Sequence, residues 1–297
     1  MKIGVYLHSG GAGVDSLVGQ VRDARAAGFE SAFFSQLTSW DSITVAALAG
    51  REVPGIEVGT AVVQTYPRHP LALAGQALTA QSVSGNTFTL GLGPSHREVI
   101  EGAFGLSYDR PARHVREYLS ALMPLLRGET VEYRGETLSA AGQVDAPGAT
   151  APPVLLSALG PVMLRIAGEL TDGTVTVWTG AQAIGEHIVP RITEAARAAG
   201  RPSPRVVVSA MVAVTDDPER VRNQIGERFG FAGSFASYGS MLERQGLSGV
   251  HETVIAGDER TVEKAIAQYA DAGATEFLVS PVGDEQEQAR TLDFFRR

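Results

Sequence analysis

Apolar and polar positions alternate along this chain in two rhythms that take turns from one end to the other. Ile3–Leu7 is a short apolar run of strand type; after it Val14, Leu17, Val18, Val21 and Ala24 recur at helical spacing and stop at Gly28. Glu30–Ser35 predicts the second strand, and Asp41 is placed to cap a helix running to about Glu52. Ile56–Val63 predicts the third strand, with Pro70 in the first turn of the helix behind it. Thr87–Gly93 predicts the fourth, followed by a helix carrying Val115, Leu119, Leu122, Met123 and Leu126 on one face. Between Gly128 and Pro153 the rhythm breaks. Glu129–Tyr133 and Glu136–Leu138, about Arg134-Gly135, predict a small hairpin and then a loop rich in Gly, Ala and Pro. The alternation resumes with strand Val154–Ala158, a helix from Pro161, strand Gly173–Trp178, a helix to Ala199, a long strand Arg205–Val214 and a last strand Thr275–Val279. Asp216 to Gly257 is a second excursion, mostly helical. Helices that end Ala27-Gly28, Ala199-Gly200 and Ala272-Gly273 each place a glycine where a left-handed cap turns the chain back toward a strand.

Eight strands alternating with helices predict an α/β fold, a (β/α)8 TIM barrel with insertions after strand 4 and strand 7. No linker divides residues 1–297, so a single barrel domain is expected, its excursions serving as lid or substrate wall. A formal charge of −8 argues against a nucleic-acid partner, which needs a basic face. No apolar run of about 18 residues predicts a membrane span, and the apolar start is too short for a signal peptide. Cysteine is absent, which fits a reducing cytoplasm and removes thiol catalysis, disulfides and thiolate-bound metals. Lysine occurs only at Lys2 and Lys264, away from any strand end, which argues against Schiff-base chemistry.

In a barrel of this kind chemistry gathers at the C-terminal ends of the strands. Those ends collect His8-Ser9, Ser35-Gln36, Gln64-Thr65-Tyr66, Gly93-Pro94-Ser95-His96, Ser157–Pro161, Trp178-Thr179-Gly180 and Ser280-Pro281. The set holds no carboxylate pair of glycosidase type and no His-x-His metal pattern, so no metal site is expected. Small residues, amides, hydroxyls and two aromatics suit a flat heteroaromatic ligand that brings its own chemistry. Ser157-Ala158-Leu159-Gly160-Pro161 leaves a strand and opens a helix; its free backbone N–H groups could hold a phosphate, though Gly-Pro is equally a plain turn.

The segments Gly59–Pro70, Phe88–His96, Phe104–Pro111 and Ser157–Pro161, with Val254–Glu259 and Ala272–Phe277 near the end, resemble the luciferase-like monooxygenase superfamily. Within it they look most like the deazaflavin (coenzyme F420)-dependent oxidoreductases of actinobacteria. FMN-dependent relatives share the barrel, so FMN is the alternative cofactor. The resemblance implies a non-prolyl cis bond at Ala61-Val62, in a bulge of the third strand that backs the cofactor ring beside Thr60. It implies a cofactor phosphate on the backbone at Gly160, Pro161, Val162 and Met163. Gly93, Ser95 and Ser157 would line the same ligand, and Trp178-Thr179-Gly180 its other flank. It also implies a homodimer. One departure stands out: several F420-dependent relatives carry Asp-His after the second strand, where this chain reads Ser35-Gln36-Leu37. His96 takes the place of a glutamate found in some relatives, and with Gln36 it forms the catalytic candidate set.

Each candidate has a plainer reading. His96 could be a helix-entry residue bonded to a neighbouring carbonyl, although an imidazole at a strand end can also titrate near neutrality. His8 serves the substrate wall or a turn. His69 reads as structural or phosphate-side, His114 as a surface or tail-contact residue, His187 and His251 as solvent-facing. Trp40, Tyr66 and Trp178 could sandwich a ring or simply pack, and Trp178 is the favoured pocket residue. Arg68, Arg97, Arg113 and Arg116 could meet the acidic tail of the coenzyme or remain solvated. The expected activity is hydride transfer between C5 of F420 and a small organic substrate. Its rivals are an FMN-dependent monooxygenase of the same superfamily and a barrel that holds coenzyme without chemistry.

Overall fold

A computed structural model describes residues 1–296 of the chain. The first half runs β1 (Lys2–Leu7), α1 (Val14–Ala26), β2 (Ser31–Phe34), α2 (Ser42–Glu52), β3 (Glu57–Thr60), β4 (Val63–Gln64), α3 (Pro70–Val83), β5 (Phe88–Gly93), α4 (Arg97–Phe104) and α5 (Pro111–Leu126). A hairpin of β6 (Val131–Arg134) and β7 (Ser139–Gly142) precedes β8 (Val154–Ser157), α6 (Pro161–Leu170), β9 (Gly173–Thr176) and α7 (Ala181–Ala183). A π-helical turn, Ile184–Ile188, leads into α8 (Val189–Ala198) and then β10 (Arg205–Val214). The end of the chain comprises α9 (Pro218–Phe229), α10 (Ala236–Gln245), β11 (Ile255–Gly257), α11 (Glu259–Asp271), β12 (Glu276–Pro281) and α12 (Glu285–Phe294).

Parallel pairing follows the order β1-β2-β3-β5-β8-β9-β10-β12, and β12 pairs back onto β1 with Glu276 opposite Lys2. Eight strands therefore close the barrel foreseen from the sequence. β4 continues the third barrel strand beyond an interruption, and β11 lies outside the barrel against the end of β10. The insertions fall after the fourth and seventh barrel strands. Asp41 caps α2 by accepting the Thr44 N–H at 2.9 Å. Gly28, Gly200 and Gly273 have φ of +91°, +68° and +94°, the left-handed turn expected of the three Ala-Gly helix ends.

Two expectations are corrected. The third strand is not continuous over Ile56–Val63: it breaks at Ala61 and Val62, whose connecting peptide bond is cis, and resumes at Val63. The hairpin pairs Val131–Arg134 with Ser139–Gly142 rather than turning at Arg134-Gly135. A carboxylate sets that register. Glu117 of α5 accepts the N–H groups of Glu136 and Thr137 at 3.1 and 2.8 Å, which spreads the turn over four residues.

Inside the barrel, Phe33, Leu155, Val175, Val207 and Leu278 form one apolar layer with Tyr6, Ala61 and Val62 above it. Each such fully buried side chain stabilises the fold by about 1.5–3 kcal/mol. Below lies a polar plug in which Arg205 bonds Glu276 (2.5 Å) and Glu57 (3.0 Å), Lys2 pairs with Glu57, and Ser31 bonds Glu276. Among the described residues no helix is long and apolar enough to cross a membrane.

Candidate active site

The alternation of the strands decides what floors the barrel mouth. With Phe33, Leu155, Val175, Val207 and Leu278 pointing inward, the next inward positions toward the C-terminal ends are Ser35, Ser157, Val177, Ser209 and Ser280, two residues on. Gly93 completes the ring, and a Cβ there would stand 2.6 Å from the Ser157 hydroxyl. The floor is therefore built mostly of small residues and is rich in hydroxyls. Tyr6 rises through it and donates its hydroxyl to the Ala61 carbonyl at 3.2 Å. Burial pushes the Tyr6 phenol up to about 12, so it stays protonated. Thr60 locks the bulge to the neighbouring strand: its hydroxyl donates to the Gly91 carbonyl (2.8 Å) and accepts the Gly91 N–H (3.0 Å). Only glycine fits at 91, because a Cβ would lie 1.9 Å from the Thr60 oxygen.

The insertion after the seventh barrel strand supplies a roof. Phe235 stacks on the His96 imidazole (centroids 4.2 Å apart, 18° between planes), and Tyr238 meets it edge-on at 4.7 Å. Burial holds His96 below the usual imidazole range against a smaller upward pull from Glu98. His8 stands at the rim with its ring edge to Tyr6 (5.1 Å) and Nε2 3.4 Å from the Ser280 hydroxyl. Burial and the charge of Arg228 hold His8 low as well. Trp178, only 8% exposed, packs on Phe229 at 6.0 Å and adopts φ +55°. For a bulky residue that conformation costs about 1–3 kcal/mol and persists only where the surroundings hold it.

On the opposite wall Tyr66 is sandwiched between Tyr108 (5.2 Å) and His114 (3.9 Å, 16°). His114 is corrected from a surface residue to a buried one, 7% exposed, bonded through Nε2 to the Thr65 hydroxyl at 3.1 Å. It lies on the apolar stripe of α5 with Tyr118 and Leu122, and burial drops its pKa to about 4. His187 is corrected too. The π-helical turn rotates it inward, and Nε2 bonds the Leu159 carbonyl at 2.7 Å, beside the start of α6.

The predicted site residues separate into groups. Gly93 and Ser157 end barrel strands, and Tyr66, Ser95, His96 and Trp178 each follow within three residues of a strand's C-terminal end. Thr60 and Thr179 are buried, with hydroxyls bonded to Gly91 and Val177 carbonyls. Gln36 spends its amide locally, accepting the Ser42 N–H (2.8 Å) and donating to the Leu37 carbonyl (2.9 Å). Trp40 is half exposed and donates to the Ala12 carbonyl at 2.8 Å. Gln36, Gln64, Arg68 and Phe104 line a cleft of about 400 Å³. Gly160, Pro161 and Val162 form the exposed first turn of α6, which has no side-chain cap; Met163 follows, half-buried. Tyr6, Phe235 and Tyr238 were not anticipated. Inward alternation from Gly4 would have found Tyr6, whereas the roof comes from a segment without strand periodicity.

The luciferase-like monooxygenase family model matches residues 1–289. The chain belongs to that family. A relative in Mycobacterium tuberculosis, a putative coenzyme F420-dependent oxidoreductase, is 29% identical over 73% of this chain and 68% of its own length. The coenzyme F420-dependent tetrahydromethanopterin reductase of Methanopyrus kandleri superposes with a TM-score of 0.79 at 23% identity, covering 100% of this chain and 97% of that one. The oxygenating constituent of 3,6-diketocamphane monooxygenase from Pseudomonas putida, solved with FMN, superposes at 0.77 with 18% identity, covering 100% and 97%. Both structures share the barrel of this luciferase-like protein.

Proposed function

We propose that this luciferase-like protein is an F420-dependent oxidoreductase that moves a hydride between the deazaflavin C5 and a small organic substrate. The observation that carries the reading is the pairing of a floor of mostly small residues, Gly93 and four serines with Val177, with an uncapped helix N-terminus. At that N-terminus a Cβ on Gly160 would meet nothing within 4 Å. A planar ring fits the first and a phosphate the second, because first-turn N–H groups and the helix dipole favour an anion. The sequence relative in M. tuberculosis supports F420 over FMN. When bound, the deazaflavin would give or accept the hydride at C5, and for substrate oxidation it would accept it while His96 takes the proton. The protein side of the work falls to Ala61, Val62, Gly93 and Ser157 beneath the ring, to Gly160–Met163 at the phosphate, and to Trp178–Gly180 along the flank. His8, Trp40 and Tyr66 bound the substrate's approach, and His96 exchanges the accompanying proton, with Gln36 shaping its surroundings.

Fluorescence titration of the purified protein with F420, and in parallel with FMN, tests this. Saturable binding of F420 alone supports the reading. Preference for FMN moves the protein to the oxygen-activating branch, and tight F420 binding without redox change on any substrate makes it a coenzyme carrier. His96→Ala should slow turnover by about 10²–10⁴-fold, the usual worth of a positioned proton donor or acceptor, with a far smaller change in F420 affinity. Because burial lowers its pKa, His96 is neutral at pH 7 and acts as a base, so the pH profile of substrate oxidation should fall only on the acid side of neutrality. An unchanged rate in His96→Ala removes it from the mechanism. The same reading carries a cytoplasmic, single-domain homodimer acting on a small molecule, with no nucleic-acid or membrane partner; an elution volume matching the 31.3 kDa chain alone would refute the dimer.

A further inference from the structure

We infer that Gln245 is a positioning residue that ties the Trp178–Gly180 loop to the aromatic roof over His96, so that cofactor binding and roof closure are coupled; the coupling rests on the cofactor reading above. The Gln245 amide reads the loop as a complementary pair. Its Oε1 accepts the Gly180 N–H at 2.5 Å and its Nε2 donates to the Trp178 carbonyl at 3.2 Å. A third bond, Nε2 to the Met241 carbonyl at 3.0 Å, fixes the side chain against its own helix. Together with the Tyr269 hydroxyl on the Thr179 carbonyl (3.1 Å), these contacts hold Trp178 in its left-handed conformation.

The same helix carries the roof. Phe235 is the residue before the first turn of α10, Tyr238 lies within that turn, and Gln245 is its last residue. Ten residues make a rod of about 15 Å, with His96 packed near one end and the Trp178–Gly180 loop bonded to the other. A displacement at either end must be felt at the other, because the rod is packed through Leu242 into the apolar cluster that includes Trp178, while Met241 anchors it in the main barrel core. The geometry demands a group with one acceptor and one donor at this reach. Methionine matches the length and offers no such pair, whereas a glutamate does so only when protonated.

In the protein without cofactor, Gln245→Met should speed amide exchange at Gly180 and across 230–245, and should shift the His96 imidazole resonances as Phe235 leaves its face. F420 affinity should fall about tenfold, the effect of losing a buried hydrogen-bond partner. Gln245→Glu should behave likewise above neutral pH and recover wild-type exchange and affinity as the new carboxyl takes up a proton, a rescue that loss of packing alone would not give. Unchanged Gly180 exchange and His96 resonances in both variants would overturn the clamp. Altered exchange with unaltered F420 affinity would overturn the coupling. Failure of the wild-type protein to bind F420 would instead sink the cofactor reading, leaving the exchange data to decide on the clamp.

Discussion

Gly160→Leu should weaken F420 binding by about a hundredfold or more, near 2.7 kcal/mol, while leaving the folded protein as stable as before. The two halves of this expectation have separate causes. Gly160 sits at φ −82° and ψ 157°, an extended conformation open to any residue, and a Cβ built there has no neighbour within 4 Å. Nothing in the fold requires glycine at this position. What a leucine would cover is the first turn of α6, where Gly160 provides no side-chain cap and Pro161 no N–H, leaving Val162 and Met163 to present theirs. Hydrogen bonds to a charged group contribute about 1.5–3 kcal/mol each, so excluding a phosphate from two donors reaches the hundredfold. Gly160→Ala should lose far less, since one methyl leaves the approach open. Titration of both variants, with thermal unfolding alongside, reads the outcome. Unaltered affinity in Gly160→Leu would place the phosphate elsewhere, whereas a fall in Tm would show that the glycine serves the fold.

Much of the barrel was legible because its strands are apolar runs bounded by turn residues, and because helix ends such as Ala27-Gly28 carry their caps in the sequence. Legibility ended where a tertiary contact set the local geometry. The hairpin register belongs to Glu117, a helix away, and no pattern within 128–142 announces it. His114 reads as a surface or tail-contact residue and His187 as solvent-facing, since neighbouring Arg113 and Glu186 suggest a polar surface. The α5 stripe buries the first and a π-helical turn the second. At the candidate site, strand alternation placed Gly93, Ser157 and Ser280 at the C-terminal mouth of the barrel. What the sequence left obscure was which polar groups are already spent: Gln36 on α2, Thr60 on the bulge, Thr179 on its own loop. The roof was hidden for a related reason, as Phe235 and Tyr238 belong to an excursion whose fold depends on the barrel beneath it.

Arg205→Met should destabilise the protein by about 3–5 kcal/mol, the usual effect of breaking a buried ion pair from one side. Its guanidinium bonds Glu276 (2.5 Å), Glu57 (3.0 Å) and Thr89 (3.3 Å), and the Glu276 side chain is only 2% exposed. Removing the cation leaves two carboxylates near one another under the apolar layer, with Lys2 as the remaining partner. For a chain of this size the loss corresponds to a drop in Tm of roughly 10 °C. The pH dependence has a definite sign. Burial alone would raise the Glu57 carboxyl, but the charges of Arg205 and Lys2 and its hydrogen bonds outweigh it and hold it below the usual carboxylate range, so its contribution to stability is complete above the unfolded value and fades as pH falls through the folded one. Without Arg205 the Glu57 carboxyl should titrate higher, and protonation would relieve the repulsion. The gap between variant and wild type should therefore be widest at neutral pH and narrow toward acid. A constant gap would mean that Arg205 acts through packing of its stem rather than charge. F420 affinity should be unaffected at temperatures where the variant remains folded, because the plug and the mouth lie on opposite sides of the layer formed by Phe33, Leu155, Val175, Val207 and Leu278. With the ion-pair plug at the N-terminal face and the candidate site at the other, Arg205→Met should be read in stability and not in cofactor affinity.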